Sequence, residues 1–313
     1  MYSYETVRLV KDRIEKRRLD AIETAEEHAA EVRAISPEIR KIDNELSKTG
    51  LAVFRAALDG EDIEPIKERN QRLIARRSEI LRELGYPADY SDIHYTCKAC
   101  GDTGYVGTRM CSCLHRELVT EAVRASGMGR LIERQSFDNF DIEKYRCDAD
   151  VYAKMKINLL RAREFVKNFR KTGENLLFVG PTGTGKTHLS TAIAKEAIER
   201  GADVVYDSAQ NMISAFETDK FRGGSPSYEP KGDRYLECDL LIIDDLGAEF
   251  RTAFSTACLY NILNTRQNNA LSTVISSNYT LAEIGEKYEG RISSRLFGTD
   301  YTLCLFGGRD QRI

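Results

Sequence analysis

Apolar residues in the first part of the chain recur at helical spacing on a strongly charged background. Residues 1–95 are rich in Glu, Arg, Lys, Ala and Ile, and apolar positions three or four residues apart predict long amphipathic helices. Two runs carry this pattern: Val7, Val10, Ile14, Ile35, Ile39, Ile42 and Leu46, then Ile66, Leu73, Ile74, Ile80, Leu81 and Leu84. The segment 49–62 between them predicts a turn at Gly50 and Gly60. We expect a helical hairpin or short coiled coil, either a solvated bundle or a module that binds a partner chain.

The pattern changes after Ser136 to apolar runs of strand length with helical segments between most of them. The runs are 175–180, 202–208, 239–245, 272–278 and 301–307. Near-continuous apolar strands separated by helices are typical of a parallel sheet that is covered on both faces. The sequence therefore predicts an α/β fold for this part, interrupted by a glycine-rich loop at 221–234.

Length and charge narrow the class of protein. The chain has 313 residues, which suggests about two domains. Its formal net charge is −3, so contact with nucleic acid would need a local basic patch. No apolar run reaches the length of a membrane span and the start has no signal-peptide core, so we expect a cytoplasmic protein without a membrane partner.

Four cysteines lie close together in the stretch CKACGDTGYVGTRMCSC. Cys97 and Cys100 form C-x2-C, and Cys111 and Cys113 follow as C-x-C. In a cytoplasmic protein thiols stay reduced, so this cluster favours a metal over disulfides. Zn²⁺ prefers four soft ligands in a tetrahedron, which predicts a zinc knuckle held by the four cysteines. The alternatives are replacement of one cysteine by His115 or His94, a site with no metal, and a redox pair, which lacks the usual strand and helix context.

The segment GPTGTGKT at 180–187 fits the phosphate-binding loop pattern G-x4-G-K-[ST]. It follows a predicted strand and opens a predicted helix, which is the context that the motif requires. Backbone N–H groups of such a loop and the helix N-terminus bind phosphates, the lysine reaches the β- and γ-phosphates, and the threonine is a ligand of Mg²⁺. The predicted ATP-binding residues are Gly180, Pro181, Thr182, Gly183, Thr184, Gly185, Lys186, Thr187 and His188.

Two aspartates end the apolar strand of LLIIDDLG, and an asparagine ends the next strand. We predict that Asp244 holds the Mg²⁺ shell and that Asp245 polarises the attacking water. Asn278 is a candidate for orienting that water. The alternatives are aspartates that cap a turn and an asparagine that serves as an ordinary turn residue.

The segment GRISSRLFG places Arg291 and Arg295 four residues apart, and hence on one face of a helix. Exposed arginines on a helix are usually solvated. In a ring or filament of ATPase subunits, such arginines can instead reach the γ-phosphate of the neighbouring subunit.

The phosphate-binding loop, DLLIIDDLGAE, VISSN, RISSRL, the lead-in RQSFDNFD and the cysteine knuckle together resemble the AAA+ ATPases, and among them the DnaC/DnaI helicase loaders. The resemblance covers nearly all of residues 97–313. It implies a five-stranded sheet in the order 5-1-4-3-2, ATP-dependent self-association into a ring or spiral, binding of single-stranded DNA, and delivery of a DnaB-type replicative helicase that the N-terminal domain grips.

The same resemblance implies roles for particular residues. Arg295 takes the place of the arginine finger, with Arg291 in support, and the SFDNFD segment lies near the adenine. The AAA+ helical lid is expected to be missing, and Arg312 is a candidate to replace its sensor arginine.

The changes of pattern along the chain predict three segments: a partner-binding helical region at 1–95, a zinc knuckle with a linker helix at 96–130, and a domain at 131–313 that the resemblance identifies as AAA+. Two rival functions remain open. One is a transposition helper ATPase of the IstB kind, and the other is a zinc-bearing scaffold that binds ATP and hydrolyses little of it, because Asp245 stands where many relatives have glutamate.

A basic patch for DNA is predicted around the glycine-rich loop. Its candidate charges and stacking rings are Lys220, Arg222, Lys231, Arg234, Phe221 and Tyr228. The alternative is a solvated loop with no nucleic-acid contact.

Overall fold

Helices form the first part of the chain, and the break between the first two lies at Ser36. The computed structural model describes residues 2–59, 62–222, 230–288 and 290–311. The first helices are α1 (Tyr4–Ile35), α2 (Pro37–Asp59) and α3 (Glu64–Glu83). Pro37 has no backbone N–H and opens α2, where no donor is needed. The Ser36 hydroxyl accepts a hydrogen bond from the Ile39 N–H at 3.2 Å, so these residues end one helix and begin the next.

The turn predicted at Gly50 is wrong, because α2 continues through this residue to Asp59. One glycine inside a helix costs about 1 kcal/mol relative to alanine, and the following LAVFRAAL supplies strong helix formers. Gly60, the other predicted turn residue, lies outside the described residues.

Residues Lys11–His115 form one of two units of the chain, and the other consists of Met1–Val10 with Arg116–Ile313. Within the first unit, α2 and α3 pack as a hairpin. Its apolar core is made of Val32, Ile39, Ile42, Ile80 and Leu81. The predicted helical region is confirmed, and the boundaries proposed for the three segments stay a prediction.

The cysteine stretch folds as a small two-stranded ribbon followed by a helix. The ribbon pairs β1 (Tyr105–Val106) with β2 (Arg109–Met110) in antiparallel fashion, and α4 (Ser112–Ala125) follows at once. A Cβ atom at Gly104, which has φ +77°, would lie 3.0 Å from the Leu114 side chain. The close approach of ribbon and helix therefore depends on glycine at this position.

All five apolar runs after residue 170 form strands of one parallel sheet. They are β3 (Asn175–Val179), β4 (Val204–Ser208), β5 (Leu240–Asp244), β6 (Ser272–Ser277) and β7 (Tyr301–Leu305). The order across the sheet is β4-β5-β6-β3-β7. With β3 counted as the first strand, this is the order 5-1-4-3-2 read from the other edge. The predicted fold class and topology are confirmed.

Helices cover both faces of this sheet. They are α5 (Leu131–Arg134), α6 (Ala149–Thr172), α7 (Lys186–Glu199), α8 (Ala209–Arg222), α9 (Asp233–Glu237), α10 (Ala253–Asn268), α11 (Leu281–Lys287) and α12 (Arg291–Leu296). Leu176 and Phe178 of β3 belong to the core under one face, and Leu177 and Val179 belong to the core under the other. Alternate side chains of a strand point to opposite faces, which is why the strand reads as continuously apolar.

Polar contacts cover backbone groups along both edge strands of the sheet. The Tyr206 N–H of β4 donates to the Ser126 carbonyl at 2.8 Å. On β7, the Leu303 and Leu305 carbonyls accept from Arg161 and Asn158 of α6 at 2.9 and 2.8 Å. These contacts occupy ladder groups that an open edge would present to another chain. No helix in the described part of the chain is both long and apolar enough to cross a membrane.

Candidate functional site

The loop between β3 and α7 is enclosed on two sides by other parts of its own unit. A Cβ atom at Gly183 would lie 2.0 Å from the Asp310 carboxylate, and one at Gly185 would lie 2.6 Å from the Tyr145 hydroxyl. Both glycines have positive φ, at +78° and +93°. The loop therefore needs glycine at these positions for its backbone conformation and for space.

Lys186 and Thr187 open α7 directly behind this loop. The Lys186 ammonium donates to the Gly180 and Pro181 carbonyls at 2.7 and 2.8 Å, so its charge lies against the loop backbone. The Thr187 hydroxyl lies 3.3 Å from a carboxylate oxygen of Asp244 at the end of β5. The helix N-terminus, the ammonium and the carboxylate therefore meet at one place, as the sequence predicted for phosphate and Mg²⁺.

Asp244 accepts hydrogen bonds from two further hydroxyls, for neither of which the sequence predicts a role. Tyr206 of β4 donates to it at 2.6 Å, and Ser276 of β6 also donates to it. Burial, together with the charge of Asp244, raises the pKa of Tyr206 far above its usual range, so the phenol stays protonated and remains a donor. Tyr206 lies in the middle of β4 and Ser276 near the carboxyl end of β6, the two strands that flank β5, and this place in the sheet order was the available signal.

Asp245 and Asn278 form a second pair beside Asp244. The Asn278 amide donates to the Asp245 carboxylate at 2.5 Å, and the Asp245 N–H donates to the Ser276 hydroxyl at 3.0 Å. Asp245 has φ +57°, a left-handed conformation that costs a non-glycine residue free energy and occurs often at functional sites. The structure thus brings together the aspartates and the asparagine, while the role of each stays a prediction.

A cavity of about 400 Å³ joins these groups to the lead-in segment. Its described lining is Gln135, Asn139, Phe140, Asp141, Lys144, Tyr145, Thr182, Gly183, Gly185, Lys186, Thr187, His188, Asp244, Asp245, Ser276, Asn278 and Gln311. The phosphate-binding loop borders the cavity together with residues of the predicted adenine segment. Its volume falls within the range of small-molecule sites, about 300–1,000 Å³.

His188 links α7 to the lead-in segment. Its Nε2 atom lies 3.0 Å from both the Ser136 carbonyl and the Asn139 amide oxygen, and Phe140 packs against the ring edge-on at 5.1 Å. Burial lowers the pKa of His188, so the imidazole is neutral at pH 7 and donates one N–H to this corner. Thr184, by contrast, is buried in the loop, where its carbonyl accepts from Tyr145 at 2.9 Å.

Arg291 and Arg295 lie on α12, and neither is among the described residues that line the cavity. Arg295 donates to Gln267 and Asn264 of α10. The structure therefore does not bring the two arginines to the phosphate-binding loop of their own chain. Arg312, the candidate sensor arginine, lies outside the described residues.

The predicted DNA patch is described only in part. Phe221 is 84 % exposed, and the Lys220 ammonium lies 5.1 Å from the centroid of the Phe254 ring. The Asp219 carboxylate accepts from the N–H groups of Lys231 and Gly232 at 3.1 and 2.6 Å. Tyr228 and the side chain of Arg222 lie outside the described residues.

The four clustered cysteines converge on one point. Their sulfur atoms all lie within 4.8 Å of one another, with Cys97 to Cys111 at 3.8 Å and Cys100 to Cys113 at 3.5 Å. Zn–S bonds of about 2.3 Å in a tetrahedron place sulfurs about 3.8 Å apart, so this donor set fits Zn²⁺. In the described part of the chain, neither His94 nor His115 belongs to the group.

A buried carboxylate holds the backbone of this knuckle. Asp102 accepts from the N–H groups of Thr96 and Cys97 at 2.7 and 3.0 Å and forms an ion pair with Arg17 at 3.1 Å. Bonds of this kind orient a metal-ligand residue through its backbone. Asp102 is not evident from the sequence, because an aspartate close to glycines reads as an ordinary turn residue.

The parallel sheet, the glycine loop at a helix N-terminus and the aspartates of the adjacent strand define a P-loop nucleotide-binding protein. The family model described as IstB-like ATP binding protein matches residues 105–292. The chain therefore belongs to the IstB-like ATP-binding family.

Several relatives are similar over about half of the chain. The replicative helicase loader DnaC of Escherichia coli strain K12 is 28 % identical over 171 residues, covering 55 % of this chain and 66 % of that protein. The insertion sequence IS5376 putative ATP-binding protein of Geobacillus stearothermophilus is 29 % identical over 160 residues, covering 51 % and 59 %. A crystal structure of the DnaC helicase loader has a TM-score of 0.48 and 24 % identity, covering 56 % of this chain and 98 % of that chain. The chain thus matches less than two thirds of the length of these curated relatives.

Proposed function

We propose that this protein is an ATPase that loads a replicative helicase onto single-stranded DNA. The observation that carries the ATPase part is the cluster at one cavity of Lys186, Thr187, Asp244, Asp245 and Asn278. Membership of an ATP-binding family supports the same conclusion.

Five side chains of the cavity and the N–H groups of the loop have roles in this proposal. Lys186 and the loop N–H groups bind the phosphates, and Thr187 with Asp244 would hold Mg²⁺, a hard cation that prefers the oxygen donors found there. When bound, Mg²⁺ neutralises charge on the β- and γ-phosphates. Asp245 polarises the attacking water, and the Asn278 amide, 2.5 Å from this carboxylate, orients that carboxylate and the water.

The proposal that the protein loads a helicase rests on its similarity to a helicase loader and on the cysteine knuckle. The relative whose name states helicase loading matches 55 % of this chain. The knuckle and the helical hairpin belong to the unit Lys11–His115, and we propose that this unit grips a DnaB-type helicase. Zn²⁺ held by Cys97, Cys100, Cys111 and Cys113 would stiffen it, because so short a ribbon has little core of its own.

Self-association completes the proposal. Arg295 lies away from the cavity lining of its own chain, so we propose that it acts on the γ-phosphate bound to a neighbouring subunit, in a ring or spiral. Such an arginine raises the rate of hydrolysis by a factor of about 10³–10⁵. Single-stranded DNA would bind near Phe221 and Lys220, where an exposed ring and a charge lie side by side.

A transposition helper ATPase is the second candidate. It is favoured by the family model and by the insertion-sequence relative, which is 29 % identical over 160 residues. The two candidates share the ATPase chemistry and differ in the protein that they serve, a helicase or a transposase.

Steady-state ATP hydrolysis, with and without single-stranded DNA, tests the shared part. We expect slow hydrolysis that DNA stimulates and that Lys186→Ala abolishes, because the substitution removes the charge facing the phosphates. ATP binding without hydrolysis under both conditions would instead support the scaffold alternative. ATP-dependent retention of the cell's replicative helicase, and not of a transposase, by the full chain would separate the two candidates.

A further inference from the structure

Helix α10 holds the Arg295 side chain of α12, which is not among the described residues that line the nucleotide cavity. Tyr260, Asn264 and Gln267 follow one another at spacings of four and three residues in α10, so they share one face of that helix. The Arg295 guanidinium donates one N–H to the Gln267 amide oxygen at 2.5 Å and another to the Asn264 amide oxygen. Its carbon atom lies 5.4 Å from the centroid of the Tyr260 ring, and that of Arg291 lies 5.8 Å from the same ring.

The acceptors in this cluster are carboxamides, which carry no charge. A carboxylate in either position would form a charge-assisted pair with the guanidinium and offset its positive charge. A carboxamide oxygen accepts the same N–H and leaves that charge in place. The ring adds a third contact, which favours a cation through its negative face. The guanidinium is therefore held at several points by groups that carry no negative charge.

We propose that Asn264 and Gln267 are positioning residues that orient Arg295 toward the γ-phosphate of a neighbouring subunit without neutralising it. This inference rests on the proposed in-trans role of Arg295. Electrostatic stabilisation of a transition state is strongest when the charged group is already in place, because no free energy is then spent on ordering it during the reaction. An arginine side chain has many rotamers, so the two amides supply that order.

The test uses mixed assemblies in which one chain donates the arginine and the other donates the phosphate-binding loop. A Lys186→Ala chain keeps Arg295 but lacks the phosphate-facing lysine, and an Arg295→Ala chain has the reverse defect. Hydrolysis in a mixture can come only from interfaces that join the two intact parts. Asn264→Asp is then placed in one chain or in the other. The substitution keeps the size and the hydrogen bond of the side chain and adds one negative charge.

We expect Asn264→Asp in the arginine-donating chain to lower the rate of the mixture by at least about tenfold, a fraction of the full worth of the arginine. The same substitution in the loop-donating chain should leave the rate within about twofold, because that chain contributes no arginine. Gln267→Glu provides an independent second variant with the same expectation. Asn261→Asp is the matched control, since Asn261 is exposed on the same helix, and it should be silent in either chain.

Three results would overturn the proposal. Equal losses in both placements would show that the amides matter only for folding. Full activity with either acidic variant in the arginine-donating chain would show that Arg295 does not need uncharged partners, which contradicts the proposal. A parent mixture that stays inactive while both chains still assemble would refute the in-trans arrangement itself, and the positioning role with it.

Discussion

Asp244 receives hydrogen bonds from the hydroxyls of Thr187, Tyr206 and Ser276. These three donors come from α7, β4 and β6, so the carboxylate is fixed by elements on both sides of β5. A carboxylate held in this way needs little further ordering to bind a cation. Asp245, one residue later, has only the Asn278 amide as a described side-chain partner. This difference supports giving the metal role to the first aspartate and the water role to the second.

Tyr206→Phe tests whether the hydrogen bond from the Tyr206 hydroxyl helps Asp244 to bind Mg²⁺. Loss of a hydrogen bond to a charged group costs about 1.5–3 kcal/mol, and we expect the Mg²⁺ concentration at half-maximal hydrolysis to rise at least about tenfold. A Mg²⁺ titration of ATP hydrolysis measures this. Tyr152→Phe is the control, because the Tyr152 hydroxyl donates to Glu143, which is not among the cavity-lining residues. An unchanged Mg²⁺ requirement in Tyr206→Phe would contradict the role given to this phenol.

Asp245→Asn separates binding from hydrolysis. The amide keeps the shape of the side chain but cannot polarise a water as a carboxylate does, so ATP binding should persist while hydrolysis falls by about 10²–10⁴. Asp244→Asn should weaken Mg²⁺-dependent binding as well. Equilibrium binding of ATP and single-turnover hydrolysis measure the two effects. Wild-type hydrolysis by Asp245→Asn would show that the roles of the two aspartates are assigned wrongly.

Secondary-structure elements explain which parts of the chain could be predicted. The five strands are near-continuous apolar runs bounded by polar residues, and such runs have few alternatives to a parallel sheet. The ends of the helices in the first part of the chain were harder to predict, because a helical period does not show where one helix stops. The break at Ser36 depends on a cap and a proline, while the helix passes through Gly50, where neighbouring residues outweigh the preference of one glycine.

In the candidate site too, some residues could be predicted from the sequence and others could not. The phosphate-binding loop and the aspartates occur as contiguous motifs and could be read directly. Tyr206 and Ser276 act on Asp244, which is distant from them in sequence, and only the topology brings the three residues together. Asp102 acts on residues close to it in sequence, but an aspartate near glycines reads as an ordinary turn residue. The amides beside Arg295 were also missed, because their spacing along α10 is that of any amphipathic face.

We expect the cysteine knuckle to be the element whose stability depends most on a bound ion. We expect one tightly bound zinc per chain, and Cys97→Ser should remove it and lower the unfolding temperature of the unit Lys11–His115. ATP binding should persist, because the cavity is lined by the other unit. Structural zinc contributes on the order of 10 kcal/mol to small folds. Metal analysis and thermal unfolding measure the two effects, and Cys147→Ser, an exposed cysteine outside the cluster, is the control. Fresh protein with less than about half an equivalent of zinc would contradict the assignment.

The whole molecule combines an ATP-binding unit with a helical unit that carries the cysteine cluster. In the proposed loader, the ATP-binding unit would respond to nucleotide and the helical unit would hold the helicase. The net charge of −3 fits local rather than global contact with DNA. Neutralising Lys220, Lys231 and Arg234 should therefore weaken binding of single-stranded DNA and reduce its salt dependence, whereas an unchanged salt slope would place the DNA elsewhere.

The most direct test of the loader account is transfer of the cell's ring-shaped replicative helicase onto a closed circular single strand, which has no end for a ring to thread. With ATP and the full chain, we predict that helicase accumulates on the circle. Lys186→Ala should abolish this transfer, because the loop can no longer bind ATP. Helicase that reaches the circle equally well without this protein, or with Lys186→Ala in its place, would contradict the proposed function.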